Sequence, residues 1–129
     1  MEIFNFRAWY KGDIEMGRPL KFVTKRIDGV LLFVMEEDNS FTYPFSTPFT
    51  DADDWITEEA TGFNDKNGNP IYRGDIVLTN EGYWKAHVEY DCQEYQYFCE
   101  DDKGGFSYDC NWEQFEIIGN IYEGEKKRL

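Results

Sequence analysis

His87, Cys92, Cys99 and Cys110 are the side chains best suited by type to hold a metal, since one imidazole and three thiols complete a Cys3His zinc set by number. Their spacing argues against that site. Six residues separate Cys92 from Cys99 and ten separate Cys99 from Cys110, so there is no C-x-x-C knuckle and no ordinary disulfide framework. On an extended strand His87 and Cys92 lie an odd number of steps apart and face opposite sides. A cysteine–histidine dyad is not enforced by this spacing either, and a reactive thiolate needs an electropositive neighbourhood that the acidic surroundings do not supply. Asp65, Asn67 and Asn69 suggest a calcium loop, but Gly68 falls at its fourth position, whereas an EF-hand needs glycine at the sixth. Adjacent carboxylates such as Glu58-Glu59 and Asp101-Asp102 turn to opposite faces of a strand. The chain carries no G-x-x-x-x-G-K phosphate loop, no H-E-x-x-H helix and no G-x-S-x-G elbow. It therefore reads as noncatalytic, with no cofactor and no bound metal. A small metal-dependent hydrolase built from dispersed carboxylates is the alternative.

Charge distribution says more than the total of −13. Residues 1–26 hold six basic side chains (Arg7, Lys11, Arg18, Lys21, Lys25, Arg26) against three acids, leaving −16 on the remainder. Between Arg26 and Lys66 there is no Lys or Arg, while ten acids lie there, Asp51, Asp53, Asp54, Glu58 and Glu59 among them. Such a surface repels phosphate backbones, because nucleic-acid affinity comes from counterions released by Lys and Arg, so direct nucleic-acid binding is disfavoured. Two partner readings follow. In one, the acidic face of Asp51, Asp53, Asp54, Glu58 and Glu59 engages a basic surface on a host protein, even as a nucleic-acid mimic. In the other, the basic set of Arg7, Lys11, Arg18, Lys21, Lys25 and Arg26 meets the acidic middle of a second copy, giving a head-to-tail homo-oligomer. Most of the abundant aromatics have a place in cross-strand pairs, and Trp84 and Tyr95 are nominated for an exposed binding surface.

The elements that position these residues are strands. Phe4, Phe6 and Ala8 alternate with Asn5, Arg7 and Trp9, and Tyr10–Asp13 offers the turn of an opening hairpin. Gly29–Met35 is a near-continuous apolar run that predicts a central strand. Asn67-Gly68 predicts a type I′ hairpin tip braced by Asp65, and Gly74-Asp75 a corner before the strand Ile76–Leu78. Ala86, Val88 and Tyr90 oppose His87, Glu89 and Asp91, Asp101–Gly105 closes a further hairpin, and the last strand spans Phe115–Tyr122. Helix is confined to a short segment through Asp53–Ile56, capped by Thr50 or Asp51, and one turn over Asn111–Phe115. The fold class is mainly β: antiparallel strands in the N-terminal half and a small SH3-like barrel in the C-terminal half, with few short helices. At 129 residues and 41% hydrophobic, residues 1–129 suit a single chain of one domain size, with a subdivision into 1–60 and 61–129. The longest apolar run is too short to cross a membrane, where ~20 residues are needed, and the opening residues lack a signal-like pattern, so a soluble intracellular protein is expected.

Three stretches carry a family resemblance: TGFNDKNGNPIYRGDIV at Thr61–Val77, FRAW at Phe6–Trp9 and FEIIGNIYEG at Phe115–Gly124. Together they resemble the YopX family of small bacteriophage and prophage proteins. Gly62, Asn67, Gly68, Gly74, Asp75 and Gly119 match its pattern and read as fold markers, set by backbone geometry. YopX-like openings continue FRAW with an aspartate where Tyr10 stands here, so the local turn is expected to differ. The resemblance implies an accessory protein of unassigned biochemical activity, acting in the cytoplasm of the bacterial host.

Overall fold

Alternating residues build β1 (Phe6–Tyr10), and both of its faces are used. Ala8 joins Phe22 and Trp55 in a buried apolar cluster, while Arg7 and Trp9 are buried on the other face. The structure, a computed structural model, describes residues 6–35, 52–79 and 84–125. The chain divides into two units, Met1–Glu59 and Ala60–Leu129.

In the first unit β1 pairs antiparallel with β2 (Lys21–Ile27) on one side and with the start of β4 (Trp55–Asn64) on the other. Instead of a hairpin turn, Tyr10 leads into a single-turn helix, α1 (Lys11–Glu15). It ends in a Schellman arrangement: the Gly17 N–H donates to Ile14 O at 3.0 Å and the Arg18 N–H to Asp13 O at 2.9 Å, with Gly17 at φ 75°. The β2–β3 hairpin turns at Asp28-Gly29, whose φ values of 50° and 80° make it the two-residue type I′ turn. β3 (Val30–Met35) pairs with β2 alone among the described residues, so the apolar run forms a terminal strand of this sheet rather than the expected central one. The helix expected over Asp53–Ile56 is one 3-10 turn, Ala52–Asp54; Trp55 is already in β4, held in register against Tyr10. Its proposed caps, Thr50 and Asp51, lie outside the described residues.

The second unit is antiparallel as well. The second half of β4 meets β5 (Pro70–Tyr72), and a six-stranded sheet runs in the order β11-β10-β6-β7-β8-β9. Its strands are β6 (Asp75–Thr79), β7 (Trp84–Asp91), β8 (Gln96–Glu100), β9 (Phe106–Ser107), β10 (Glu116–Asn120) and β11 (Gly124–Glu125). Ile71, Val77, Ala86, Val88, Cys99, Trp112 and Phe115 form its core. No ladder among the described residues joins β9 to β11, so the sheet is open. The protein is mainly β, with very few helical residues. No helix among the described residues is long and apolar enough to cross a membrane.

The tip at Asn67-Gly68 exists but is not type I′. Only Gly68 has positive φ, at 81°; the Gly68 N–H donates to Asp65 O at 3.0 Å, giving a Lys66-Asn67 turn followed by a left-handed glycine. Asp65 imposes this form, because its Oδ1 accepts the N–H groups of Asn67 and Asn69, both at 2.9 Å. Gly74, at φ 92°, makes the expected corner: its N–H donates to Val88 O at 2.8 Å and its carbonyl accepts the Ile121 N–H at 3.0 Å. Asp75, 1% exposed, accepts the Tyr72 N–H at 2.8 Å. Gly62 has φ 89° where the β4–β5 register shifts, and Gly119 closes the bulge in β10 opposite Ile76. The turn expected over Asn111–Phe115 is the 3-10 segment Trp112–Gln114, and Asn111 makes no side-chain cap.

Candidate functional site

Among the described residues, one acid and one base singled out in the sequence are buried against each other rather than placed on two separate surfaces. Arg7 and Glu58 stand directly opposite each other on β1 and β4 and are buried together, 4% and 1% exposed. Arg7 Nε donates to Glu58 Oε1 at 2.8 Å, and Trp9 Nε1 donates to the same oxygen at 2.7 Å. Neither residue is therefore presented to a partner: strand alternation turned Glu58 inward to meet a cation across the ladder, and left Glu59 half-buried on the other side. Asp53 and Asp54 are exposed, while Asp51 lies outside the described residues. In the basic set Lys11 is exposed and donates to the Asp53 carbonyl, Arg18 is exposed and Lys21 half-buried. Lys25 and Arg26 occupy β2 opposite Leu32 and Leu31, their side chains outside the described set.

The second unit gathers more. Val88 and Cys99 pair across β7 and β8 into the core, so alternation sends His87, Glu89, Phe98 and Glu100 to the other face, where Glu100 also pairs with Phe106 of β9. There Phe98, Phe106 and Tyr108 contact one another, with centroids 6.4 Å (Phe98–Phe106), 5.1 Å (Phe98–Tyr108) and 5.6 Å (Phe106–Tyr108) apart. Phe106 is 62% exposed and Tyr108 36%. The Tyr108 hydroxyl donates to Asp91 Oδ2 at 2.6 Å. Asp91, Glu89, Glu94 and Glu100 thus border an exposed aromatic cluster. His87 Nε2 lies 3.4 Å from Glu89 Oε1 on the same face.

The Tyr108 hydroxyl and two backbone N–H groups hold the Asp91 carboxyl below its ordinary value of 3.8, and the same bond raises Tyr108 above 10.0. The signs are opposite. The lowered Asp91 contributes stability above pH 3.8 that is lost as pH falls through its folded value; the raised Tyr108 contributes below pH 10.0 and loses it as pH rises through its own. Carboxyl NMR titration of Asp91 should give a midpoint under 3.8 that moves back upward in Tyr108→Phe. An unchanged midpoint in that variant would show that the bond does not form in solution.

Beside the cluster, Thr79, Trp84, Asp101, Phe106, Asp109 and Cys110 help line a groove of about 420 Å³. Trp84 Nε1 donates to Asp101 Oδ2 at 2.9 Å, while Asp101 Oδ1 accepts the Lys103 and Gly105 N–H groups. These bonds, Trp84 foremost, hold the Asp101 carboxyl low, so the groove carries a fixed negative charge. Of the two nominated aromatics, Trp84 is a half-buried wall of this groove, and Tyr95 is 83% exposed in the β7–β8 turn at φ 56°. Phe98 and Tyr108 stand among the aromatics that the sequence offers for a binding surface, whereas Phe106 does not; its signal is its place just after the Asp101–Gly105 hairpin, with Phe98 just before it.

Cys99 is buried and Cys110 half-buried, their Sγ atoms 3.9 Å apart, while Cys92 is exposed in the turn. Among the described residues no three His, Cys, Asp or Glu side chains are grouped to hold a metal ion.

A crystal structure of protein EF1440 from Enterococcus faecalis shares this fold, with a TM-score of 0.50 and 22% identity over 95% of this chain and 96% of that one. No curated protein matches the sequence. The family model described as YopX protein matches residues 5–126, taking in FRAW, the hairpin tip, the Gly74 corner and the β10 bulge, and on that match the chain belongs to the YopX family.

Proposed function

We propose that this is a noncatalytic phage or prophage accessory protein of the bacterial cytoplasm that works by protein–protein contact, its acidic aromatic face taking a basic segment of a second copy. The observation that carries this reading is the Phe98–Phe106–Tyr108 cluster, with Phe106 and Tyr108 exposed and Phe98 half-buried, bordered by Asp91, Glu89, Glu94 and Glu100. Aromatic faces flanked by carboxylates suit a guanidinium or ammonium, which gains cation–π and ionic attraction together. The chain carries such groups on its first unit, with Arg18 and Lys11 exposed. Copies of net charge −13 repel at long range, but that field is screened beyond roughly 8 Å at physiological salt, so local complementarity governs docking. For the second unit we infer an SH3-like outline, supported by the β6–β7–β8 meander and the β10 bulge.

Analytical ultracentrifugation across a concentration series tests the assembly. Arg18→Glu and Glu100→Lys are each expected to weaken association by about 1–2 kcal/mol, and mixing the two variants should restore part of it, because the reversed charges pair again. A chain that is monomeric throughout the series at low and high salt would end the self-assembly reading and turn attention to a basic host protein.

A further inference from the structure

Cys99 and Cys110 lie outside the aromatic cluster proposed for binding protein, though Phe106 borders both, and they are a pair. Cys99 belongs to the core on β8, between ladders to Val88 and Ser107. Cys110 lines the groove, its Sγ 3.9 Å from Cys99 Sγ and 3.3 Å from the Ser107 carbonyl oxygen. One thiol is thus open to a small molecule and the other waits directly behind it.

From this arrangement we infer that Cys110 and Cys99 form a thiol–disulfide exchange site for a low-molecular-weight disulfide, with Cys110 attacking from the groove and Cys99 resolving. The steps balance. Cys110 gives up its proton and its sulfur bonds to one sulfur of the incoming disulfide; the reagent's S–S bond breaks and the other half leaves as a thiol carrying that proton. Cys99 then attacks Cys110 Sγ, the mixed disulfide breaks and the second half leaves with the Cys99 proton. One disulfide and two protein thiols become one protein disulfide and two small thiols.

Closing the bond brings the sulfurs from 3.9 Å to about 2.0 Å. Cys99 is held by strands on both sides, so the movement falls to Asp109–Asn111, which pairs in no ladder. The sulfur–sulfur contact with Cys99 holds the Cys110 thiol below its ordinary value despite burial and Asp109, favouring it as attacker; that contact and burial push Cys99 up, so resolution is the slow step. Asp101 and Asp109 also line the groove, so a cationic disulfide has the advantage over an anionic one.

The test uses the full chain carrying Cys92→Ser, reduced, desalted and exposed under native conditions to cystamine or to glutathione disulfide. Trypsin cuts after Lys103 and separates Cys99 from Cys110, so the cross-link appears directly as a joined pair of peptides. We expect that link with the loss of two hydrogens from the intact mass, and a mixed disulfide held on Cys110 in a further Cys99→Ala chain. Cystamine should react on the order of tenfold faster at low salt, the gap narrowing as salt rises. Both thiols staying free in the native Cys92→Ser chain while the link forms in denaturant would overturn the proposal, as would glutathione disulfide reacting faster than cystamine. Because the readout on Cys92→Ser keeps both thiols in question, it does not depend on whether Cys99→Ala folds.

Discussion

Replacing Asp65 with alanine should lower stability by about 3–5 kcal/mol, read as a fall in the urea midpoint. The carboxylate is 4% exposed and serves two segments far apart in sequence. Its Oδ1 accepts the N–H groups of Asn67 and Asn69 within the hairpin tip, and its Oδ2 accepts the Ile117 N–H of β10 at 3.2 Å. The Lys66 N–H adds a bond to Phe115 O at 2.9 Å at the same junction. Hydrogen bonds to a charged acceptor contribute about 1.5–3 kcal/mol each, but bonds on one side chain do not add, which sets the estimate below their sum. Asp65→Asn tests the mechanism, because its single carbonyl oxygen serves one of the two segments and its amide opposes the N–H of the other. We expect about half the alanine loss, with faster amide exchange at either Ile117 or the Asn67–Asn69 tip. A cost under about 1 kcal/mol for Asp65→Ala would mean that the tip and β10 do not depend on this carboxylate.

Glu58→Ala is expected to cost a similar 3–5 kcal/mol for a different reason. It removes the buried carboxylate oxygen to which both Arg7 Nε and Trp9 Nε1 donate, while the Arg7 cation stays in its buried position. The desolvation cost of that cation was offset by the partner now deleted. Replacing both charges, as in Arg7→Met with Glu58→Leu, should recover part of the loss, since a packed apolar pair removes the unpaired cation while the Trp9 N–H still loses this acceptor. Chemical denaturation of the two single variants and the double closes a mutant cycle. If the double variant loses as much as the singles combined, the pair is not coupled and the account is wrong.

These two sites show unequally in the sequence. Asp65 and Gly68 are legible because turn chemistry is local: an aspartate two residues before Asn67 can reach its own backbone, and Gly68 accepts the left-handed conformation without strain. The turn type is not legible there, because Asp65 recruits Asn69 as well as Asn67. The single turn of α1 is signalled by Gly17 at the position following its last turn, yet five residues are too few to display a helical period.

Strand periodicity, the Gly74 corner, the mainly β character and the family are determined by the sequence itself, since each rests on dihedral preference or alternation within a few neighbouring residues. Only the tertiary structure decides that Glu58 faces Arg7 across 51 residues, that the Cys99 and Cys110 sulfurs meet, and that Phe98, Phe106 and Tyr108 share a face. Alternation alone states that Glu58 and Glu59 point opposite ways. Which of them is buried depends on the pairing of β1 with β4, and a shift of one residue would exchange their faces; that choice belongs to packing across distant segments, where local preference is silent.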